Sequence, residues 1–286
     1  MRALVLSGGA SKGAFQVGAL RYLINDLNIQ YDALCGVSVG ALNCAFLSQF
    51  PKAQEKEAFI QLQDLWNNID NSKVRKNWLP FGMLHGLWLD SVYNSKPLID
   101  LVRSGLDLNT IRQSNRNIAV GAVSVSTGNY RSFTQKDDCF VDAVLASSSY
   151  PMGLNPIIID GQKWTDGGVK HILPIQEAID FGATDIDIIL CGPQQTTDAF
   201  NDVDVITFGM RCFDLMTDQN IVADLKIAQL YNQLVSANLA PGKKYLNMKI
   251  IQPTQTLQTS SLNFDHAAIQ QMLDQGYNEA KQQYQP

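Results

Sequence analysis

The chain of 286 residues has few charged side chains, no excess of basic residues and no long apolar run. Charged residues make up 17% of the sequence, and its 22 lysines and arginines are outnumbered by 27 acidic residues. Nucleic-acid-binding proteins usually carry a basic excess, so this class is not favoured. No run of about 18 apolar residues occurs, so no transmembrane helix is predicted. The 45% of hydrophobic residues suffices for a sizeable core and argues against disorder.

The sequence also lacks paired cysteines and clustered metal ligands. Its five cysteines include no CxxC pair, which excludes a zinc ribbon and argues against a disulfide framework. The apolar stretch at the N-terminus is too short for a signal peptide and is predicted to be a strand. We therefore expect a cytoplasmic protein without metal or cofactor, while export that needs no cleaved signal stays open.

Strand-like and helix-like segments alternate through most of the chain. Ala3–Leu6 is a short apolar run that ends at two glycines, and a helical apolar stripe follows from Phe15 to Leu27. This alternation favours a layered α/β domain with a largely parallel sheet. No repeat or Pro/Gly linker divides the sequence, so residues 1–286 are predicted to form one domain. Further strands are predicted at Tyr31–Cys35, Ile118–Val125, Tyr130–Thr134, Pro156–Ile159, Ile186–Cys191 and Tyr245–Ile251, and further helices at Ala41–Leu47, Glu55–Trp66, Lys96–Gly105, Ile175–Phe181, Phe213–Leu234 and Ala267–Gln283.

One segment differs in composition from the rest. Over residues 73–89, Lys73, Arg75 and Lys76 precede a group of tryptophan, phenylalanine, methionine and leucine side chains. Basic groups beside aromatic and apolar ones suit contact with an anionic lipid surface. The alternative is an insertion that packs on the core and leaves its charges in solvent. A lid or membrane-contact insertion over about residues 67–95 therefore stays open.

The first chemical motif is Gly36-Val37-Ser38-Val39-Gly40, which matches GxSxG. In such an elbow a serine sits at a sharp strand-to-helix turn, and small flanking residues relieve crowding around it. The motif lies between a strand-like and a helix-like segment, as this geometry requires. Ser38 is therefore a candidate nucleophile.

The second motif is the glycine-rich loop Gly8-Gly9-Ala10-Ser11-Lys12-Gly13 between the first strand and the first helix. Backbone N–H groups at a helix N-terminus can bind a developing oxyanion. The loop does not match a nucleotide-binding P-loop or GxGxxG pattern. A tight structural turn is the alternative. A lysine near a helix start is disfavoured by the helix dipole, which suggests that Lys12 attracts an anionic substrate.

The third motif is Asp166-Gly167-Gly168, which follows the predicted strand at Pro156–Ile159 and a turn. It is either an ordinary turn or a carboxylate that approaches Ser38. An aspartate with an ordinary pKa is a weak base, and burial would strengthen it. A triad completed by His171 or His266 is a further alternative. It is disfavoured because Ser38 comes too early in the chain for the α/β-hydrolase arrangement.

Taken together, these three motifs in this order resemble the patatin-like phospholipase family. The Ala146–Pro151 stretch (ASSSYP) and the terminal Leu262–Asp265 with Gly276-Tyr277 also resemble blocks of that family, so the likeness spans most of the chain. Ala10 stands where many members have a third glycine. Alanine leaves its N–H available provided that its φ is negative.

The resemblance implies a three-layer α/β/α fold and a Ser-Asp dyad. Ser38 would be the nucleophile and Asp166 the general base, while the N–H groups of Gly8, Gly9 and Ala10 would form an oxyanion hole. The supporting motif positions are Lys12, Gly13, Gly36, Gly40, Gly167 and Gly168.

The resemblance further implies hydrolysis of acyl lipids, of phospholipase A or lysophospholipase type, through an acyl-serine intermediate. No metal or cofactor is implied. The Trp78–Leu89 segment and the Phe213–Leu234 helix are candidates to line an acyl channel, although core packing explains them as well. Two alternatives stay open: an acyltransferase using the same dyad, and a non-catalytic lipid-binding regulator. The expected partner is an acyl lipid, with transient membrane contact and an unknown protein activator.

Overall fold

The computed structural model describes residues 1–78, 89–193, 205–255, 257 and 262–284. Within these ranges eight strands form one mixed sheet. They are β1 (Arg2–Leu6), β2 (Ala33–Val37), β3 (Asn117–Ser124), β4 (Tyr130–Thr134), β5 (Ile157–Ile159), β6 (Gln162–Asp166), β7 (Asp185–Ile189) and β8 (Asn247–Ile251).

Hydrogen-bonded neighbours follow the series β5-β6-β3-β2-β1-β7-β8, and β4 pairs with the edge of β3 that faces away from β2 and β6. The five strands β3, β2, β1, β7 and β8 are parallel to one another. The other three, β4, β5 and β6, form antiparallel pairs. This confirms the predicted central, largely parallel sheet. The carboxyl ends of parallel strands meet at one edge, where α/β proteins place their sites.

The register of β3 brings β6 to the end of β2. Val37 pairs with Gly121, and Asp166 pairs with the next residue, Ala122. β4 pairs with residues 119–123 of β3, which include residues that also pair with β2 and residues that also pair with β6. A strand has only two edges, so β4 occupies one of them, and β2 and β6 follow each other along the other. The last residue of β6 therefore lies beside the last residue of β2.

The helices connect these strands and cover both faces of the sheet. They are α1 (Gly13–Leu20), α2 (Val39–Leu47), α3 (Glu55–Asn67), α4 (Asn71–Val74), α5 (Lys96–Gly105), α6 (Leu108–Gln113), α7 (Phe140–Ser147), α8 (Ile175–Asp180), α9 (Val205–Ser236) and α10 (His266–Gln283). A wider helical turn, Arg21–Asp26, prolongs α1. Among the described helices, none is long and apolar enough to span a bilayer.

Alternation along β1 shows the three layers. Leu4 and Leu6 pack with α1, α2, α3, α7 and α10 on one face. Ala3 and Val5 pack with α8 and α9 on the other face. Side chains of a strand alternate between faces, so a strand buried on both sides is apolar at every position. The structure is thus the three-layer α/β/α fold expected from the sequence.

The C-terminal helix packs closely on the first helix through two glycines. A Cβ at Gly18 would lie 2.0 Å from the carbonyl oxygen of Leu273, and a Cβ at Gly276 would lie 2.0 Å from that of Phe15. Asp265 caps α10, since its Oδ1 accepts from the N–H of Ala268 at 3.1 Å. The terminal block noted in the sequence therefore fixes α10 against the helix that follows the glycine-rich loop.

Candidate active site

Ser38 lies at a sharp turn between β2 and α2. Its backbone has φ 56° and ψ −127°, an unfavourable conformation for a residue with a side chain. The residue is only 5% exposed. This is the strained strand-to-helix elbow that the GxSxG pattern predicts.

The two glycines of the motif are required by close backbone contacts. A Cβ at Gly36 would lie 2.3 Å from the Gly40 oxygen, and a Cβ at Gly40 would lie 2.3 Å from the Leu6 oxygen. Gly13 is similarly restricted, because its Cβ would lie 2.3 Å from Val39 Cγ2. These contacts press the first and second strand-to-helix turns against each other.

A serine block at the end of α7 holds the backbone of Ser38. Ser147 Oγ accepts from the Ser38 N–H at 2.9 Å, and Ser148 Oγ donates to the Ser38 oxygen at 3.1 Å. The carbonyl of Ser149 accepts from the Asp166 N–H at 3.2 Å. The ASSSYP stretch therefore braces both Ser38 and Asp166. Sequence reasoning noted this block only as a resemblance, and its signal was three consecutive serines after an apolar helix.

Asp166 ends β6 beside the elbow and is 1% exposed. Its Oδ1 accepts from the N–H of Gly168 at 2.8 Å. Its Oδ2 is buried and has no partner of standard hydrogen-bond geometry among the described residues. Gly167 permits a close approach, because its Cβ would lie 2.3 Å from the Gly121 oxygen.

Burial gives the Asp166 carboxyl the character of a base. It raises the pKa of Asp166 to about 7, although the Ser38 hydroxyl and the Gly168 N–H both act to lower it. Removal from water disfavours the charged form of a carboxyl group. A carboxylate with such a pKa accepts a proton near neutral pH far better than an exposed aspartate.

The glycine-rich loop lies against Ser38. A Cβ at Gly8 would be 3.0 Å from Ser38 Cβ, and a Cβ at Gly9 would be 2.2 Å from Cys191 Cβ. No described residue accepts a hydrogen bond from the N–H of Gly8, Gly9 or Ala10. These three residues, Lys12, Ser38 and Asp166 line a common cavity. The structure therefore brings all three sequence motifs together.

The negative φ that the sequence analysis required of Ala10 is wrong. Its φ is +50°, not negative. This left-handed conformation brings Cβ close to the neighbouring carbonyl and costs about 1–2 kcal/mol in a residue with a side chain. The position occupied by a third glycine in many family members therefore has a conformation that favours glycine.

Two cavities meet at Ser38. One offers about 490 Å³ of space, open in part to solvent, and is lined by the glycine loop, Asp166 and residues of α9. The other offers about 960 Å³, also open in part to solvent, and is lined almost wholly by apolar side chains of α2, α3, α5 and the segment Leu262–Phe264. Ala10, Ser38 and Tyr150 line both. An ester at Ser38 would thus have an apolar space on one side and a more polar one on the other.

The predicted wall of the acyl channel is corrected. The Phe213–Leu234 segment of α9 contributes Phe213, Asp214, Thr217, Asp218 and Ile221 to the smaller cavity, and none of its residues lines the apolar one. Only Phe213, at the start of this segment, packs against the core on the side of α2 and α3, whereas Ile221, Leu225 and Ala228 pack on the opposite face of the sheet. The Trp78–Leu89 prediction falls mainly on residues 79–88, outside the described residues.

The described histidines lie away from Ser38. His171 Nδ1 is 3.2 Å from Asp224 Oδ1, and its ring lines a separate cavity between α8 and α9. His266 begins α10 and is exposed. His85 falls outside the described ranges. In the part of the chain described, no group of His, Cys, Asp and Glu could hold a metal ion.

The basic cluster of residues 73–76 is partly engaged within the protein. Arg75 Nε donates to the Leu262 oxygen at 3.0 Å, and its guanidinium lies 4.0 Å from the ring centre of Tyr93. The Lys73 ammonium donates to the Asn68 oxygen. Lys76 joins Asn94 through its backbone. Arg75 therefore has a structural role that its position in a charge cluster did not indicate.

These features form a candidate active site at the carboxyl edge of a three-layer fold. The chain belongs to the patatin-like phospholipase family, whose model matches residues 4–179. This membership supports lipid acyl hydrolase activity in general. The matched range includes all three motifs.

Among solved structures, the chain is similar to VipD from Legionella pneumophila. The two share 14% identity with a TM-score of 0.51, and the match covers 98% of this chain and 66% of the VipD chain. At this identity the likeness shows the fold. This chain therefore spans about two thirds of the VipD chain. No curated protein matches it.

Proposed function

We propose that this protein hydrolyses carboxylic-ester bonds of acyl lipids, as a phospholipase A or lysophospholipase, through an acyl-Ser38 intermediate. The observation that carries the proposal is the placement of Ser38. It lies beside a buried carboxyl group with a pKa of about 7 and at the junction of an apolar and a more polar cavity.

In the first half of the reaction, Asp166 accepts the proton of the Ser38 hydroxyl while Oγ bonds to the ester carbonyl carbon. The carbonyl electrons move to oxygen, and the N–H groups of Gly8, Gly9 and Ala10 bind the resulting oxyanion. When the oxyanion collapses, the carbon–oxygen bond to the alcohol breaks. The protonated Asp166 returns its proton to the leaving oxygen.

In the second half, water occupies the place of the departed alcohol. Asp166 takes one proton from the water while the water oxygen bonds to the acyl carbon, and a second oxyanion forms. Collapse breaks the bond to Ser38 Oγ, which regains a proton from Asp166, and a fatty acid leaves. The acyl chain occupies the apolar cavity throughout, since burial there removes its surface from water.

Lys12 is proposed to favour anionic substrates. It lines the smaller cavity together with Ser38 and Asp166. A lysine ammonium at this place lies on the side from which a phosphate head group would extend, opposite the acyl cavity. A Lys12→Gln protein should therefore lose more activity on phospholipids, all of which carry the phosphate, than on uncharged acylglycerols.

The experiment that tests the function measures fatty acid release from mixed phospholipid vesicles by the wild type and by Ser38→Ala, without added metal. We expect release by the wild type only. Equal release by both proteins would contradict the proposal. If neither protein releases fatty acid, labelling by a fluorophosphonate decides: an unlabelled Ser38 would contradict a competent site.

Contact of residues 73–89 with a lipid surface stays a proposal. Because Arg75 is bonded within the protein, its neutralisation would disturb local packing. Vesicle binding of the Lys76→Gln protein is the sharper test. Loss of binding to anionic vesicles is expected, and unchanged binding by this variant would count against the contact.

A further inference from the structure

A chain of buried amides connects the wall of the apolar cavity to the glycine-rich loop. Trp66 Nε1 donates to Asn43 Oδ1 at 2.9 Å, and Asn43 Nδ2 donates to Gln16 Oε1 at 2.9 Å. Gln16 Nε2 then donates to the Ser7 oxygen at 2.7 Å. Gln16 and Ser7 are fully buried, and Asn43 is 1% exposed.

The direction of this chain is fixed by its two ends. An indole N–H can only donate and a backbone carbonyl can only accept. Each amide between them must therefore present its oxygen toward Trp66 and its NH₂ toward Ser7. Such a fully bonded polar chain in a core costs little and holds its members in one arrangement.

The series of hydrogen bonds ends on the peptide unit that carries a proposed oxyanion donor. The carbonyl of Ser7 and the N–H of Gly8 belong to the same peptide, and in a trans peptide they point in opposite directions. When Gln16 holds the carbonyl, it also fixes the direction of the Gly8 N–H. Ser7 Oγ donates to the Gly8 oxygen at 3.0 Å, which fixes the next peptide and the Gly9 N–H in the same way.

Ser7 itself is anchored from the neighbouring strand. Its N–H donates to the Ile189 oxygen at 3.2 Å, and its Oγ accepts from the Cys191 N–H at 3.0 Å. Gln16 thus holds the Ser7–Gly8 peptide and the Ser7 hydroxyl holds the Gly8–Gly9 peptide, while Ser7 itself is held by Ile189 and Cys191 at the end of β7. Nothing in the three sequence motifs assigns this role, because Gln16 lies within an apolar helix.

We propose that Gln16 is a positioning residue that orients the Gly8 N–H toward the oxyanion, and that Asn43 and Trp66 anchor it to the acyl cavity. The inference rests on the proposed function. Asn43 and Trp66 also line the apolar cavity. The hydrogen-bond chain therefore connects the place where an acyl chain would bind to the groups that would stabilise its transition state.

The test compares Gln16→Met with wild type on a soluble p-nitrophenyl butyrate ester, whose short chain places little demand on the cavity. Methionine keeps the length of the side chain and removes its donor. Removal of a whole oxyanion donor lowers kcat about 10²–10³-fold, so its misorientation should lower kcat about 10–100-fold. KM should change less than about threefold, because the ground-state ester does not use the donor fully.

Asn232→Leu is the matched control. Asn232 is buried on α9 and forms two hydrogen bonds of 2.8 Å with the backbone of Leu246. Loss of these two hydrogen bonds should lower the melting temperature about as much as Gln16→Met does, and it should leave kcat unchanged. Trp66→Phe is a milder variant, which removes one N–H and keeps an aromatic ring, and it should lower kcat about 3–10-fold.

A kcat for Gln16→Met within twofold of wild type would overturn the proposal, as would an equal loss in Asn232→Leu. If Gln16→Met does not fold, the kcat of Trp66→Phe decides by the same criterion. A loss seen mainly in KM would place the residues in substrate binding and also overturn it. Ser38→Ala is included throughout. If the wild type is no more active than Ser38→Ala, and if a fluorophosphonate does not label Ser38 of the wild type, the proposed function fails. This inference then fails with it.

Discussion

Ser38 and Asp166 are held in place by different means. Around Ser38, glycines at positions 36 and 40 allow backbone contacts that a Cβ would break. Around Asp166, the Ser149 carbonyl accepts from the Asp166 N–H, Gly167 allows a close contact with β3, and hydrogen bonds from α9 hold the following turn. Asn220 Nδ2 donates to the Gly168 oxygen at 3.0 Å, more than fifty residues along the chain from its partner. The elbow of Ser38 is therefore shaped mainly by a short motif, whereas the turn after Asp166 depends in addition on a distant helix.

Asp224 extends this support. Its Oδ2 accepts from the N–H groups of Ile172 and Leu173 at 3.2 and 3.1 Å. The side chain of Ile172 in turn lies next to both Gly8 and Gly168. α9 therefore fixes the loop after Asp166 at three points. A displacement of α9 would move the base relative to a serine that stays in place.

The largest expected effect follows from Asp166→Asn. The amide keeps the shape and the acceptor for the Gly168 N–H but cannot take a proton from Ser38. We expect kcat to fall about 10³–10⁴-fold with the fold retained. Fatty acid release and circular dichroism on the same samples measure both.

His171→Ala is the matched control, since this side chain contacts Asp224 and not Ser38. It should retain activity within about tenfold of wild type. A loss above about a thousandfold for His171→Ala would contradict the dyad and favour a histidine-containing triad.

The pH dependence comes next in size. Because Asp166 must be ionised to act as a base and its pKa is raised to about 7, kcat/KM should rise about tenfold per pH unit below 7 and level off above it. A profile between pH 5 and 9 measures this. A plateau that extends down to pH 5 would show that the base has an ordinary carboxyl pKa.

The same shift predicts a stability change of defined sign. The folded state holds the Asp166 proton more tightly than the unfolded state, whose pKa is near 3.8. Its contribution to stability is fully present below about pH 4 and is lost as pH rises to about 7. Asp166→Asn avoids burial of a charge. It should therefore gain stability over wild type at pH 8 by up to about 4 kcal/mol and gain little at pH 4.

Gly40→Ala tests the steric side of the comparison. The added Cβ would meet the backbone oxygen of Leu6 at 2.3 Å, and β1 is buried on both faces and cannot shift easily. We expect a loss of about 3 kcal/mol or more in the free energy of unfolding. Gly105→Ala is the control, since nothing lies within 4 Å of its Cβ position. Equal stability of the two variants in urea would contradict the steric argument.

Asn220→Ala tests the hydrogen-bonded side. The change removes one bond to the Gly168 carbonyl and should lower the free energy of unfolding by only about 1 kcal/mol. The turn that holds Asp166 loses a fixed point, so we expect kcat to fall about 3–30-fold. The readout is kcat at a temperature where both proteins are fully folded. An unchanged kcat would show that Gly168 needs no support from α9.

The difference between the surroundings of Ser38 and of Asp166 also explains which features could be predicted from the sequence. The alternation of segments correctly predicted the layers, the largely parallel sheet and seven of its eight strands as segments. It missed β6 and the helices α4, α6 and α7. The polar β6 (QKWTD) is a strand only through its pairing with β3 and β5. The elbow was predictable from five consecutive residues. Gln16, Asn43, Asn220 and Asp224 were not, since their partners lie far away in the sequence.

The smallest expected effect concerns Ala10, where sequence reasoning expected a negative φ and the structure has +50°. Glycine adopts this conformation without strain, which favours Ala10→Gly by about 1–2 kcal/mol. The greater freedom of glycine in the unfolded chain offsets about 0.4–1 kcal/mol of this. A net gain of about 0–1.6 kcal/mol is therefore expected in urea unfolding, with kcat within about twofold of wild type. A net loss of stability would show that contacts of the Ala10 methyl group, which lines both cavities, outweigh its backbone strain.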